Sequence, residues 1–230
     1  MNRDAKTQSA LLALARTRRM QRALAHACIH RDAPIPTLRL SLGFMTSTAR
    51  TTEDVSELGH RMAVVGVSVA ERIAYIVEEL AAGEAPIVYR MFLSGARQGH
   101  LVPVHAWYEH DDEPTAIRTR IAMLQPRLVP CAKTTTEAWM LSTRVVQRRA
   151  LRVAGQEAPI RKFALQLRVE PVSGIGPSGA TTVTAFLRPE AQLAEVYAIP
   201  GESSVLARVT YTGVPSGLGL PKDTFVLLTE

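Results

Sequence analysis

Arg144, Arg148 and Arg152 recur at four-residue spacing, and Arg149, Arg161 and Lys162 stand close by in the chain. Side chains of this type bind anions, because a guanidinium presents a fork of donors that fits phosphate or carboxylate oxygens. On one helical face, like charges four residues apart repel by a few tenths of a kcal/mol per pair unless something anionic neutralises them. That anion could be external, or it could be the acidic run of Glu109, Asp111, Asp112 and Glu113. A second set, Arg16, Arg18, Arg19 and Arg22, lies near the amino terminus and invites the same chemistry.

Other residues carry weaker signals. His100, His105 and His110 recur every five residues beside the acidic run, but on a strand a spacing of five puts neighbours on opposite faces. No closed metal site has that spacing, and no metal or other cofactor is expected. Gly174, Gly176 and Gly179 spell a GxGxxG pattern. It is followed by the β-branched run Thr181 to Leu187 and not by a helix, so a hairpin loop is expected there, not a dinucleotide site. There is no GxSxG elbow, and no catalytic residue stands out. Cys28 and Cys131 are far apart and outside any CxxC spacing, which argues against a disulfide framework and for a reducing compartment.

Charge is distributed unevenly along the 230 residues. The first 31 hold Arg3, Lys6, Arg16, Arg18, Arg19, Arg22 and Arg31 against Asp4, which accounts for the whole net charge of +6. A basic arm on a neutral body is attracted to nucleic acid, nucleoprotein or an anionic membrane surface. Hydrophobic content of 47% with 21% charged residues suits a folded chain with a core. The apolar runs are too short for a transmembrane segment.

The elements that must position these residues follow from periodicity. Residues 5 to 30 read as one amphipathic helix, ended by Pro34 and Pro36, so that 1–33 forms a basic helical arm. Thr37 to Phe44 alternates as a strand. Val55, Leu58, Met62 and Val65 predict a helix. A second helix is predicted after the capping-box spacing Ser68-x-x-Glu71, with Val69, Ile73, Ile76, Val77 and Leu80 as its buried stripe. Strands are expected over 87–93 and 101–108, while 115–124 suits either a helix or a strand. Thr134-x-x-Glu137 then predicts a helix to about Val153 that would carry the arginine stripe. From Arg161 onward the alternation of Phe163, Leu165, Leu167 and Val169, and the runs at 181–187, 204–211 and 224–229, predict β-structure.

The chain therefore reads as α+β: a basic N-terminal amphipathic helix, a mixed helix and strand part over 34–155, and an antiparallel β-rich part over 156–230. Residues 34–230 could also form one domain. The order of basic arm, strand, helical stretch and the Val88-Tyr89-Arg90 strand is similar to the layout of matrix proteins of negative-strand RNA viruses. The likeness covers residues 37 to 93 and rests on no diagnostic motif. The expected function is that of a non-enzymatic structural or assembly protein of matrix or coat type. It would be intracellular and cytoplasmic, self-associating, and would bind nucleic acid, nucleoprotein or acidic membrane through Arg16, Arg18, Arg19, Arg22, Arg144, Arg148, Arg149 and Arg152. Two alternatives stay open. One is an enzyme or small-ligand binder using His105, His110, Arg118 or Arg120 between the two parts. The other is an organelle-imported, for example mitochondrial, protein whose Arg-rich leader is removed.

Overall fold

A computed structural model describes residues 60–80, 83–108, 113–152, 159–214 and 219–230. The expected amino-terminal helix, the strand at 37–44 and the four arginines of the arm lie outside the described residues.

The described chain is mostly antiparallel β-sheet with one α-helix, which corrects the α+β expectation. The strands are β1 (Arg61–Ser68), β2 (Ile73–Glu79), β3 (Ile87–Phe92), β4 (Leu101–Pro103), β5 (Ala132–Thr134), β6 (Trp139–Leu151), β7 (Ile160–Pro171), β8 (Gly179–Phe186), β9 (Ala191–Ala198), β10 (Val205–Thr212) and β11 (Pro221–Leu228). Helix α1 (Pro114–Leu124) starts on a proline that fits its first turn. The strands form a lower sheet in the order β1-β2-β3-β4, a middle sheet β11-β10-β9-β5, and an upper sheet β6-β7-β8.

The middle sheet is dry on both faces. Val196, Ala207, Val209, Tyr211, Val226 and Leu228 pack with Phe163, Leu165, Leu167, Val169, Val183 and Ala185 of the upper sheet. Tyr197, Leu206, Phe225 and Leu227 point the other way, onto Met62, Val67, Ala74, Ile76 and Met91 of the lower sheet. Side chains alternate across a strand, so one strand can serve two cores. The far face of the lower sheet is covered by α1, through Val88, Val104 and Ile117. The order of layers is helix, lower sheet, middle sheet, upper sheet.

Three predicted helices are strands, and each for a stated reason. The lower sheet is covered on both faces, so β2 buries Ile73, Ala74, Ile76 and Val77 without a period of two, and the result mimics a helical stripe. In β1 a bulge between Val64 and Gly66 puts Met62 and Val67 in one core five residues apart. Gly66 is required there, because a Cβ would stand 2.8 Å from Leu128 Cβ and 3.0 Å from the Val129 carbonyl. The capping-box spacings close turns instead. The Glu71 amide donates to Ser68 Oγ at 3.4 Å between β1 and β2, and the Glu137 amide donates to Thr135 Oγ1 at 3.3 Å before β6. The region carrying the arginine stripe is β6, not a helix.

Candidate nucleic-acid interface

The upper sheet presents one face to the core and an outer face that is exposed from Met140 to Arg144 and at Gln166 and Arg168, whereas beside Lys162 it holds buried Ile160 and Phe186; β7 sets the division. Phe163, Leu165, Leu167 and Val169 are buried, and the residues between them point outward. Register then places the neighbours. Lys162 stands opposite Arg149, Gln166 opposite Arg144, Arg168 opposite Ser142, and Glu170 opposite Met140. On the other side of β7, Gln166 faces Thr182 and Arg168 faces Ala180. Among the described residues this outer face carries Arg144, Arg149, Lys162 and Arg168 against Glu170 as its one carboxylate.

A bulge between Val145 and Gln147 decides which arginines belong to the face. Before it, Val145 pairs with buried Leu165 and packs on the core, so Arg144 points out. The extra residue, Val146, is 61% exposed. After it the parity is reversed: Arg149 points out with Lys162, and Arg148 pairs with Phe163 and projects from the opposite side of the ribbon. Arg152 lies one residue beyond the strand and is exposed. The four arginines thus share one stretch of chain but not one face.

Electrostatics favours an anion on the outer face. Arg149 and Lys162 are like charges directly opposite each other, a pairing that destabilises a sheet. Residues 109–112 of the acidic run lie outside the described residues. Among the described residues no ion pair involves Arg144, Arg148, Arg149, Arg152, Arg161 or Lys162. Arg168 holds Glu170 at 2.8 Å on the surface, so the carboxylate of the face is already engaged. Ser142, Gln147, Gln166 and Thr182 supply neutral exposed donors around the cations. Hydroxyl and amide groups of this kind are regular partners of phosphate oxygens.

A second polar cluster lies between the middle and lower sheets. Glu78, 1% exposed, accepts from Tyr89 Oη at 2.5 Å, contacts His60 Nδ1 at 2.8 Å and stands 3.6 Å from Lys222 Nζ. Burial pushes its pKa up, but these donors outweigh burial and hold it below the ordinary carboxylate value; burial and the adjacent Glu78 push Tyr89 strongly up. Asp223 accepts from the Met62 amide at 2.9 Å, Arg208 at 2.7 Å and Thr210 Oγ1 at 2.6 Å. Arg208 also reaches Glu195 at 3.0 Å, and Glu195 is further bonded to Lys133 at 2.5 Å and to Tyr197. Asp223 reaches the Met62 amide of the lower sheet and Glu78 stands 3.6 Å from Lys222 of the middle sheet, so these two carboxylates work as a bolt between sheets, while Glu195 ties β5, β9 and β10 within the middle sheet.

The other sequence candidates are dispersed. His100 and His105 are exposed, His105 in a single 3-10 turn, and His110 lies outside the described residues. Arg118 grips Glu79 through two bonds of 3.1 and 3.0 Å, and Arg120 donates to the Trp107 carbonyl. Among the described residues no three His, Cys, Asp or Glu side chains are grouped to hold a metal ion. The glycine pattern at 174–179 is the loop of the antiparallel β7–β8 hairpin. Cys131 is half-buried, and burial raises its thiol to about 11, which makes it a poor nucleophile. Among the described residues no helix is long and apolar enough to cross a membrane.

The chain matches no protein-family model, no curated protein and no solved structure.

Sequence reasoning singles out Arg144, Arg148, Arg149 and Arg152, but passes over Arg168 and the outer-face role of Lys162. Their signal is present, since Lys162, Gln166 and Arg168 fill the even positions of the strand whose odd positions are apolar.

Proposed function

We propose that this protein is a non-enzymatic nucleic-acid-binding assembly protein that holds phosphate backbones on the outer face of its upper sheet. The observation that carries the reading is the outer face itself: four cations, one carboxylate already engaged by Arg168, and two cations set directly opposite each other. Such a surface gains affinity by releasing counterions from a polyanion and does not need to read bases. The arm residues Arg16, Arg18, Arg19 and Arg22 would add a further sequence-independent attraction, and an intracellular setting goes with this ligand. A membrane surface is less well matched to the outer face, because Arg144, Arg149, Lys162 and Arg168 stand on a sheet and not on an amphipathic helix of the kind that lies in a bilayer interface.

Charge reversal tests the reading. Arg144→Glu combined with Arg149→Glu in the full chain should abolish binding of a fluorescein-labelled random-sequence oligonucleotide at about 100 mM salt, where phosphate neutralisation still dominates affinity, and leave the thermal melt in place. Binding that survives both substitutions in a folded protein would reject the face as the interface.

A further inference from the structure

The cations of the outer face are not spread evenly. Arg149 and Lys162 form one pair, with Cβ atoms about 5 Å apart as cross-strand neighbours. Arg144 and Arg168 form the other, diagonal across β6 and β7, because Arg168 lies two residues beyond Gln166, the partner of Arg144. Lys162 and Arg168 are six residues apart on an unbulged strand, about 20 Å, while Arg144, opposite Gln166, stands about 13 Å along the sheet from the Arg149–Lys162 pair. Between them the face carries Ala164 on β7, with Gln147 opposite it on β6 and Thr184 on β8. These are neutral and mostly small.

We propose that the ligand of this face is a double helix, held by the two basic pairs on the phosphate rows that border one groove. The inference rests on the nucleic-acid reading above and names the form of nucleic acid. A single strand laid along β7 would cross about 13 Å of neutral surface between Lys162 and the Arg144–Gln166 row. A duplex presents two rows of phosphates separated by a groove, about 12 Å wide for the major groove of B-form DNA. Side chains with long flexible stems, rooted about 13–20 Å apart, straddle such a groove and reach both rows. The neutral strip then lies over the groove. The one aromatic side chain at an outward position among the described residues of the three strands, Phe186 opposite Lys162, is 7% exposed, so the face offers no open platform for unstacked bases. Contacts confined to two backbones make the binding indifferent to sequence.

The test uses the full chain and fluorescence anisotropy with a DNA duplex of about 20 base pairs, an RNA duplex of the same sequence, and each single strand, from about 50 to 200 mM salt. Two double variants separate the pairs: Arg149→Gln with Lys162→Gln, and Arg144→Gln with Arg168→Gln, each checked by thermal melting. One or both duplexes should bind at least about tenfold tighter than their single strands. Removing Arg149 and Lys162 should lower the slope of log K against log salt on DNA duplex by about 1.8, and removing Arg144 and Arg168 by about 0.9–1.8, because Arg168 is shared with Glu170. The DNA and RNA arms decide which helical form fits the span. Single strands bound as tightly as duplex, with loss in the same variants, would overturn the double-helix inference and leave the nucleic-acid reading intact. Binding that ignores both variants, or no binding to any nucleic acid, would overturn the reading beneath it. So would capture of phosphatidylserine vesicles by the wild-type chain, abolished in the variants, with nucleic acids unbound.

Discussion

Asp223→Ala should be the most damaging single truncation among the polar residues that join the middle and lower sheets. The Asp223 side chain is 3% exposed and accepts three hydrogen bonds, from the Met62 amide on β1 and from Arg208 and Thr210 on β10. Truncation leaves the Met62 N–H and the Thr210 hydroxyl without their acceptor, at about 1–3 kcal/mol for each buried donor that finds no other. Arg208 loses one of its two carboxylates but keeps Glu195 at 3.0 Å. The electrostatic part therefore falls below the about 3–5 kcal/mol typical when a buried pair is broken outright. The expected loss is about 3–4 kcal/mol, read as a shift in urea midpoint at unchanged m-value. Asp223→Asn should cost less, since the amide oxygen still accepts from Met62. In a double-mutant cycle, Asp223→Ala and Arg208→Ala should be non-additive by more than about 1 kcal/mol. A loss below about 1 kcal/mol for Asp223→Ala would refute the picture of a bolt between sheets, and additivity of the two truncations would refute the Arg208–Asp223 pair that ties β10 to β11.

Other perturbations have equally definite outcomes. Burial raises the Glu195 pKa, but the bonds from Lys133, Tyr197 and Arg208 outweigh it and hold the group at about 2, and Glu78 is lowered in the same sense. A folded pKa below the unfolded value means stability that is complete above the ordinary carboxylate range and lost as pH falls through the folded pKa. The urea midpoint should therefore drop steadily from about pH 5 toward about pH 2, less so in Glu195→Gln; a flat profile would contradict it. Gly179→Ala should destabilise by about 1–3 kcal/mol or more. A Cβ there meets the Leu227 carbonyl at 2.1 Å, beside the Ser178–Thr229 bridge that joins β8 to β11. Thermal melts at matched pH would show it. Arg149→Gln removes a like-charge cross-strand neighbour and should raise stability in low salt by a few tenths of a kcal/mol while weakening nucleic-acid binding. A variant that lost both would point to a structural role for Arg149.

The β-strands from Ile160 onward are legible where one face is wet and the other dry. Phe163, Leu165, Leu167 and Val169 against Lys162, Gln166 and Arg168 leave little choice of period. The same logic fails for β1, β2 and β6. In β2 the lower sheet is covered on both faces, so Ile73, Ala74, Ile76 and Val77 carry no alternation to read. In β6 the core residues Leu141 and Val145 are four apart, and the bulge that follows reverses the parity of the rest, so arginines at helical spacing fall on a strand. Beta-branched residues at Val64, Val65, Val67, Val145 and Val146 are the available counter-signal. The basic character of 144–162 can be read from composition. Its partition into an outer face of Arg144 and Arg149 and an opposite side carrying Arg148 requires the register.

The central claim is that the upper sheet's outer face neutralises phosphates, and the salt dependence of binding measures it most directly. For the full chain on duplex DNA, the slope of log K against log salt should fall in magnitude by about 2.7 when Arg144, Arg149 and Lys162 are together replaced by glutamine, or about 0.9 for each phosphate no longer neutralised. The variant should keep the wild-type unfolding transition. An unchanged slope in the folded variant would contradict the account.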